Sequence, residues 1–172
     1  NPVGEGGYLD ISVVDACAVW IGGRYGTIIR TLDGGATWER QDRLSAGGSL
    51  SVVNAVYGIH FRDRTNGCVV GLGYLRHHTT NGGATWSPSA LTGTSLGAGT
   101  TSYYSLTFLT PLEGWVRVNS VEGTTVRNGI LHTTDGGVTW QLVPAVTEQE
   151  VYCLSFATSN AGVGIIVTEA SV

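Results

Sequence analysis

Short apolar runs recur along the chain, each a few residues long and each followed by polar or glycine-rich sequence. Four of them, ISVV, GIHF, SLTF and CLSF, close on Val14, Phe61, Phe108 and Phe156, spaced 47, 47 and 48 residues apart. Alternation of this kind predicts half-buried β-strands. Seven residues after each Phe a second run begins, at Cys68 in GCVVG, Trp115 in GWVRV and Val163 in GVGII. Trp20 in VWIGG fills that place in the first unit, one residue closer. A third run (TIIRT, LRHHT, ILHT) follows in the first three units, and a fourth comes after an invariable Thr-Trp pair. Four short strands per unit, at a period near 47, is the spacing of β-propeller blades.

Between the third and fourth runs lies an eight-residue box, present three times. It reads TLDGGATW at Thr31–Trp38, TTNGGATW at Thr79–Trp86 and TTDGGVTW at Thr133–Trp140. Asp33, Asn81 and Asp135 can bond the backbone beside them. The glycine pairs Gly34–Gly35, Gly82–Gly83 and Gly136–Gly137 allow the positive φ angles of a tight turn. Thr37, Thr85 and Thr139 then lead into Trp38, Trp86 and Trp140, large apolar anchors for the next strand.

The units run over about residues 8–42, 54–88 and 103–144, with a fourth opening at 150–172 and stopping before any box. Its strands are expected at Val151–Phe156 and Val163–Val167. Arg43–Val52 reads as a loop, and Ser89–Thr101 as a Gly/Ser/Thr surface linker. The third unit is longer by seven residues between its second strand and its box, which lengthens the hairpin near Asn119–Arg127. The fold class is therefore all-β: a partial propeller of about three and a half blades, one domain over residues 1–172. Seven blades at this period need roughly twice this length. The open blade faces are expected to be covered by further blades of a longer protein or by a partner.

Composition narrows the function. The chain has 172 residues, 26 of them Gly, with only 13% charged, as expected of short strands joined by tight turns. A net charge of −4 and a pI near 5.4 argue against a nucleic-acid surface, which needs a basic stripe. All nine basic residues are Arg, and there is no Met, so Asn1 is not a translation start. No apolar run reaches the 18 residues that a membrane span needs. Cys17, Cys68 and Cys153 lack metal or redox spacing, and Cys68 and Cys153 read as buried thiols. One disulfide with a thiol left over is the alternative in an oxidising compartment.

The Phe strand, the Gly-Trp strand and the T-x-[DN]-GG-x-TW box together resemble the Asp-box (bacterial neuraminidase repeat) propellers, and within them the photosystem II assembly and stability factor type. The resemblance covers about Tyr8–Val167, with Asn81 in place of Asp and a fourth unit without a box as departures. It implies seven blades, action outside the cytoplasm (periplasm, thylakoid lumen or secreted), and a structural role for Asp33, Asn81 and Asp135 on a peripheral turn. Similar boxes occur in sialidases, xyloglucan-cleaving glycosidases and sortilin-like receptors, so the box speaks for fold more than for activity.

No catalytic, cofactor or metal site is expected. A glycosidase needs two positioned carboxylates, and the candidates Asp10, Asp15, Asp63, Glu113, Glu122, Glu148 and Glu150 assemble no such pair in the sequence. Asp63 and Glu113 fall in equivalent loops and read as solvated turns. The box tryptophans suit sugar stacking but read better as inter-blade core. His77, His78 and His132 have no metal-ligand spacing. Arg24, Arg30, Arg62, Arg64, Arg76, Arg117 and Arg127 spread over three units. The resemblance implies an Arg patch for a partner polypeptide, with Arg24, Arg30, Arg76 and Arg127 as the candidates. The expected function is a non-enzymatic, protein-binding or scaffolding propeller, an assembly factor or complex subunit. The alternative is a carbohydrate-active propeller, whether glycosidase, sialidase-like or lectin-like.

Overall fold

The computed structural model describes residues 7–41, 55–93, 100–143, 156–159 and 162–165; for the last two segments the description is of backbone alone. The expected loop at Arg43–Val52 and the segment Val151–Ser155 lie outside the described residues. Three antiparallel sheets follow one another in sequence. The first holds β1 (Tyr8–Val13), β2 (Val19–Gly23), β3 (Ile28–Thr31) and β4 (Glu39–Arg40). The second holds β5 (Val56–Phe61), β6 (Gly67–Gly71), β7 (Arg76–Thr79) and β8 (Ser87–Pro88). The third is built on β10 (Thr100–Phe108), β11 (Gly114–Glu122), β12 (Thr125–Thr133) and β13 (Thr139–Leu142). A last hairpin pairs β14 (Phe156–Ser159) with β15 (Gly162–Ile165).

The linker is not wholly a surface excursion. Ala90–Thr92 forms β9, which pairs in parallel with β13 and gives the third sheet a fifth strand. Ser89 and Ala90 fasten it: the Ser89 hydroxyl donates to the Gly137 carbonyl at 2.6 Å, and the Ala90 amide donates to the Val138 carbonyl at 3.0 Å. This covers the outer edge of the third sheet with backbone partners, an edge that otherwise invites non-native pairing.

The sheets are joined through their first strands. Ile59 and Phe61 of β5 reach back into the first sheet, and Leu106 and Phe108 of β10 reach back into the second. Ser12 faces forward and accepts the Phe61 amide at 2.8 Å; Asp10 accepts that of Ile59 at 2.8 Å. Both bonds span 49 residues, so β1 and β5 run side by side in a fixed register. Trp86 and Trp140 are buried in the two joints, whereas Trp38 is half-buried. Ile11 (56% exposed) and Val13 (63%) occupy the places of Ile59 and Phe61 and meet no preceding sheet among the described residues.

The register corrects one landmark. Ser12 lies opposite Trp20 as His60 lies opposite Cys68, which makes Val13, not Val14, the equivalent of Phe61. Measured from Val13, Trp20 is seven residues on, like Cys68 from Phe61, and the shortened spacing read from the sequence disappears. Val14 instead packs against the first joint.

Candidate partner-binding face

Because β1–β4, β5–β8 and β10–β13 are each antiparallel in strand order, their connections alternate between two ends. One end carries the β1–β2, β5–β6 and β10–β11 loops together with the boxes. The other carries the β2–β3, β6–β7 and β11–β12 hairpins and the start of each first strand.

At the box end the polar groups are taken up by one another. Thr133 Oγ1 donates to Asp135 Oδ1 at 2.8 Å and accepts the Gly137 amide at 3.0 Å, while Asp135 accepts the amide and hydroxyl of Thr139. The same bonds form at Thr31, Asp33 and Thr37. At Asn81 the amide nitrogen donates to Thr85 Oγ1 at 2.8 Å, so one bond reverses its direction. The boxes also receive cross-sheet donors. Gly82 O accepts Trp20 Nε1 at 3.1 Å and Arg30 Nη1 at 2.9 Å, and Arg62 donates to Asp135 O.

The carboxylates at this end serve their own turns. Asp15 accepts the amides of Cys17 and Ala18 and pairs with Arg64 at 2.9 Å; bonding to Arg64 first, then to Cys17, lowers its pKa to about 2. Hydrogen bonds from Thr37 and Thr31 bring Asp33 to about 2. Partial burial opposes ionisation of Asp63, but the bonds from Thr65 and Asn66 prevail and hold it below the ordinary range. Glu113 lies 3.3 Å from His132. None of Asp15, Asp33 and Asp63 has the raised pKa that a general acid needs.

His78 Nδ1 lies 3.4 Å from Ser89 Oγ, and His132 stacks on Trp115 with centroids 4.6 Å apart. Among the described residues no group of three or more His, Cys, Asp or Glu side chains is placed to hold a metal ion, and no helix is long and apolar enough to cross a membrane. Cys17 is exposed and Cys68 buried, both as free thiols, and burial pushes the Cys68 thiol up; Cys153 lies outside the described residues.

The hairpin end has a different chemistry. Tyr8, Tyr25, Tyr57, Tyr74, Tyr103 and Tyr104 all stand there, with Arg24, Arg76, Arg117 and Arg127 beside Glu122. Tyr57 stacks on Tyr104 across the second joint at 5.0 Å, and the Arg117 guanidinium lies over Tyr104 at 5.1 Å. Arg76 donates to Ser89 O, bonds the Tyr103 hydroxyl and lies 5.5 Å over the Tyr103 ring. Arg24 and Arg127 are exposed. Of the four arginines singled out by sequence, Arg24, Arg76 and Arg127 are thus brought to one end. Arg30 is not: it sits by a box, engaged by Glu39 and Gly82. Sequence reasoning passed over the tyrosines, although RYG and GYL stand at matching places after a glycine-rich second strand.

A family model described as photosynthesis system II assembly factor YCF48 matches residues 46–150. Two solved structures are similar. One, described as YCF48 bound to D1 peptide, has 25% identity and a TM-score of 0.56, and its alignment covers 82% of this chain and 42% of that one. YCF48 from Cyanidioschyzon merolae has 25% identity and a TM-score of 0.53, with coverage of 83% and 38%. The chain thus spans less than half the length of either solved chain. No curated protein matches it. A family match over more than half of the chain, with two solved YCF48 structures similar to it in fold, leads to one conclusion: the chain belongs to the photosynthesis system II assembly factor YCF48 family.

Proposed function

We propose that the chain is a non-catalytic part of an assembly-factor propeller that binds a partner polypeptide at its hairpin end, outside the cytoplasm. The observation that carries this reading is the separation of charge between the two ends. Arg24 and Arg127, exposed, and Arg76 and Arg117, half-buried, gather at the hairpin end against the carboxylate of Glu122. At the other end Arg30, Arg62 and Arg64 are outnumbered by Asp15, Asp33, Glu39, Asp63, Glu113 and Asp135. A chain of net charge −4 thus presents one basic, aromatic end. Arg and Tyr on an exposed surface are the residue types that anchor protein interfaces, and Arg adds bidentate recognition of carboxylates. The D1 peptide held by the related YCF48 is the first candidate. The extracytoplasmic setting rests on the family resemblance, and the absence of nucleic-acid binding on the acidic overall charge.

The test is fluorescence anisotropy of labelled D1 peptide titrated with the chain. Arg24→Glu combined with Arg127→Glu should weaken binding by about tenfold or more and flatten its salt dependence. Arg64→Glu, at the box end, should leave it unchanged. Equal loss from all three substitutions would remove the hairpin end as the site. Turnover on a panel of glycosides would overturn the non-catalytic assignment.

A further inference from the structure

The hairpin tips of the first two sheets each carry an unfavourable residue at a central position of the turn. In the first, Thr27 N donates to Arg24 O at 3.1 Å around central residues Tyr25 (φ 57°) and Gly26 (φ 66°). In the second, Gly73 (φ 67°) and Tyr74 (φ 66°) are central, and the Gly71 amide donates to Leu75 O at 2.8 Å. Both turns need positive φ at two successive residues. Gly, Asn and Asp take that conformation readily, whereas a bulky aromatic residue pays a steric penalty. Tyr stands at the first central position in one tip and at the second in the other. Turn geometry therefore does not select it; what the two tips share is an exposed ring, 59% at Tyr25 and 52% at Tyr74.

The third tip completes the surface differently. β11 and β12 are nine residues each, so their hairpin extends beyond the other two, and Val121 and Val126, paired across it, are exposed beside Arg127. Two aromatic tips and one apolar arm thus stand at the basic end. The Tyr74 amide donates to Thr101 O at 2.8 Å, which holds that turn against β10 but calls for no aromatic side chain. An aromatic ring kept exposed at a strained position is most economically explained by a contact that the ring makes there.

We propose that Tyr25 and Tyr74 are paired aromatic grips that hold successive side chains of an extended, acid-bearing polypeptide laid across the hairpin tips, with the Val121–Val126 arm bounding it. This rests on the partner-binding reading above and assigns it two further contact residues. Each ring supplies a large, rigid, partly apolar surface with a hydroxyl at its end, which suits a peptide whose carboxylates meet Arg24 and Arg127.

The experiment uses Tyr25→Asn and Tyr74→Asn, singly and together, because Asn accepts positive φ and leaves the charge unchanged. The probes are labelled D1 peptide and a panel of ten-residue acidic peptides. Asn at both tips should leave the thermal transition unchanged or raise it, and should weaken the best-bound peptide by at least about tenfold. Phe at both positions should keep binding within roughly threefold of the parent, because the ring surface is retained. If the double Asn variant binds as tightly as the parent while Arg24→Glu with Arg127→Glu does not, the grips are refuted and the partner-binding reading stands. If the parent binds neither D1 peptide nor any of the panel, both fall.

Discussion

Phe61 lies flat on Trp20, with ring centroids 4.0 Å apart and planes 13° from parallel. The contact joins the first strand of the second sheet to the second strand of the first, and Trp86 closes it edge-on at 5.9 Å from Phe61. The next joint is built otherwise. Cys68 takes the place of Trp20, and Phe108 stacks on His60 instead, at 3.8 Å. Phe61→Ala should therefore cost about 3–5 kcal/mol and Phe61→Leu roughly half as much, because leucine fills part of the space without the stack. Urea unfolding followed by tryptophan fluorescence measures both. A cost near zero for Phe61→Ala would mean that the two sheets do not depend on each other.

The second joint carries a pH dependence of its own through His60. His60 has its pKa lowered from 6.5 to about 4, first by burial and then by the charge of Arg62, against a hydrogen bond to the Pro111 carbonyl. A folded-state pKa below the unfolded one means that the unfolded chain binds the proton more readily. This contribution is whole above pH 6.5 and is lost as pH falls from 6.5 toward 4. Asp10, raised by burial against bonds from Ile59 and Ile11, acts in the opposite sense as its carboxylate protonates. The melting temperature should fall between pH 7 and pH 5, and His60→Leu should remove most of that fall. An equal fall in the variant would assign the dependence to other groups.

The three boxes make a prediction through their first residue. Thr31, Thr79 and Thr133 are buried, and each hydroxyl accepts the amide of the second box glycine. Thr133→Val keeps the shape but leaves the Gly137 amide without that acceptor, a loss of about 1–3 kcal/mol. Asn81→Asp should instead be neutral or slightly stabilising, because Thr85 can donate to a carboxylate as Thr37 and Thr139 do. Differential scanning calorimetry of the two variants checks both signs. Destabilisation by Asn81→Asp would show that the reversed bond is required.

What the sequence revealed and what it hid have physical reasons. The box was legible because Asp33, Gly34 and Gly35 are each demanded by one turn geometry, and the demand repeats three times. The joints were partly legible: the Phe landmarks marked inward positions, but even spacing selected Val14 where strand pairing selects Val13. β9 was hidden because Ala90–Thr92 owes its strand to the β13 edge and not to its own residues. The aromatic tips were missed because Tyr25 and Tyr74 contradict turn preference, and reading by preference passes over residues kept in spite of it. Arg30 showed the converse, since its neighbour at Gly82 comes from another sheet and a list of arginines carries no ends.

Gly58 tests how closely the second joint is packed. It stands where Asp10 stands in the first sheet, and there Asp10 is accommodated by accepting the Ile59 amide. At Gly58 the neighbour is Leu106: an added Cβ would come within 2.5 Å of the Leu106 Cβ and 2.8 Å of Val70 Cγ2. Both contacts are too short for the joint to hold unchanged, so Gly58→Ala should cost about 1–3 kcal/mol by overpacking. Leu106→Ala alone leaves a void and should also destabilise, by about 2–4 kcal/mol. Leu106→Ala keeps the Cβ, so in the double variant relief depends on the shortened side chain letting β10 shift. The sum of the single costs should therefore exceed the cost of the double by at least about 0.5 kcal/mol. Strict additivity in urea unfolding would mean that Gly58 and Leu106 do not meet, and would separate β5 from β10 at this point.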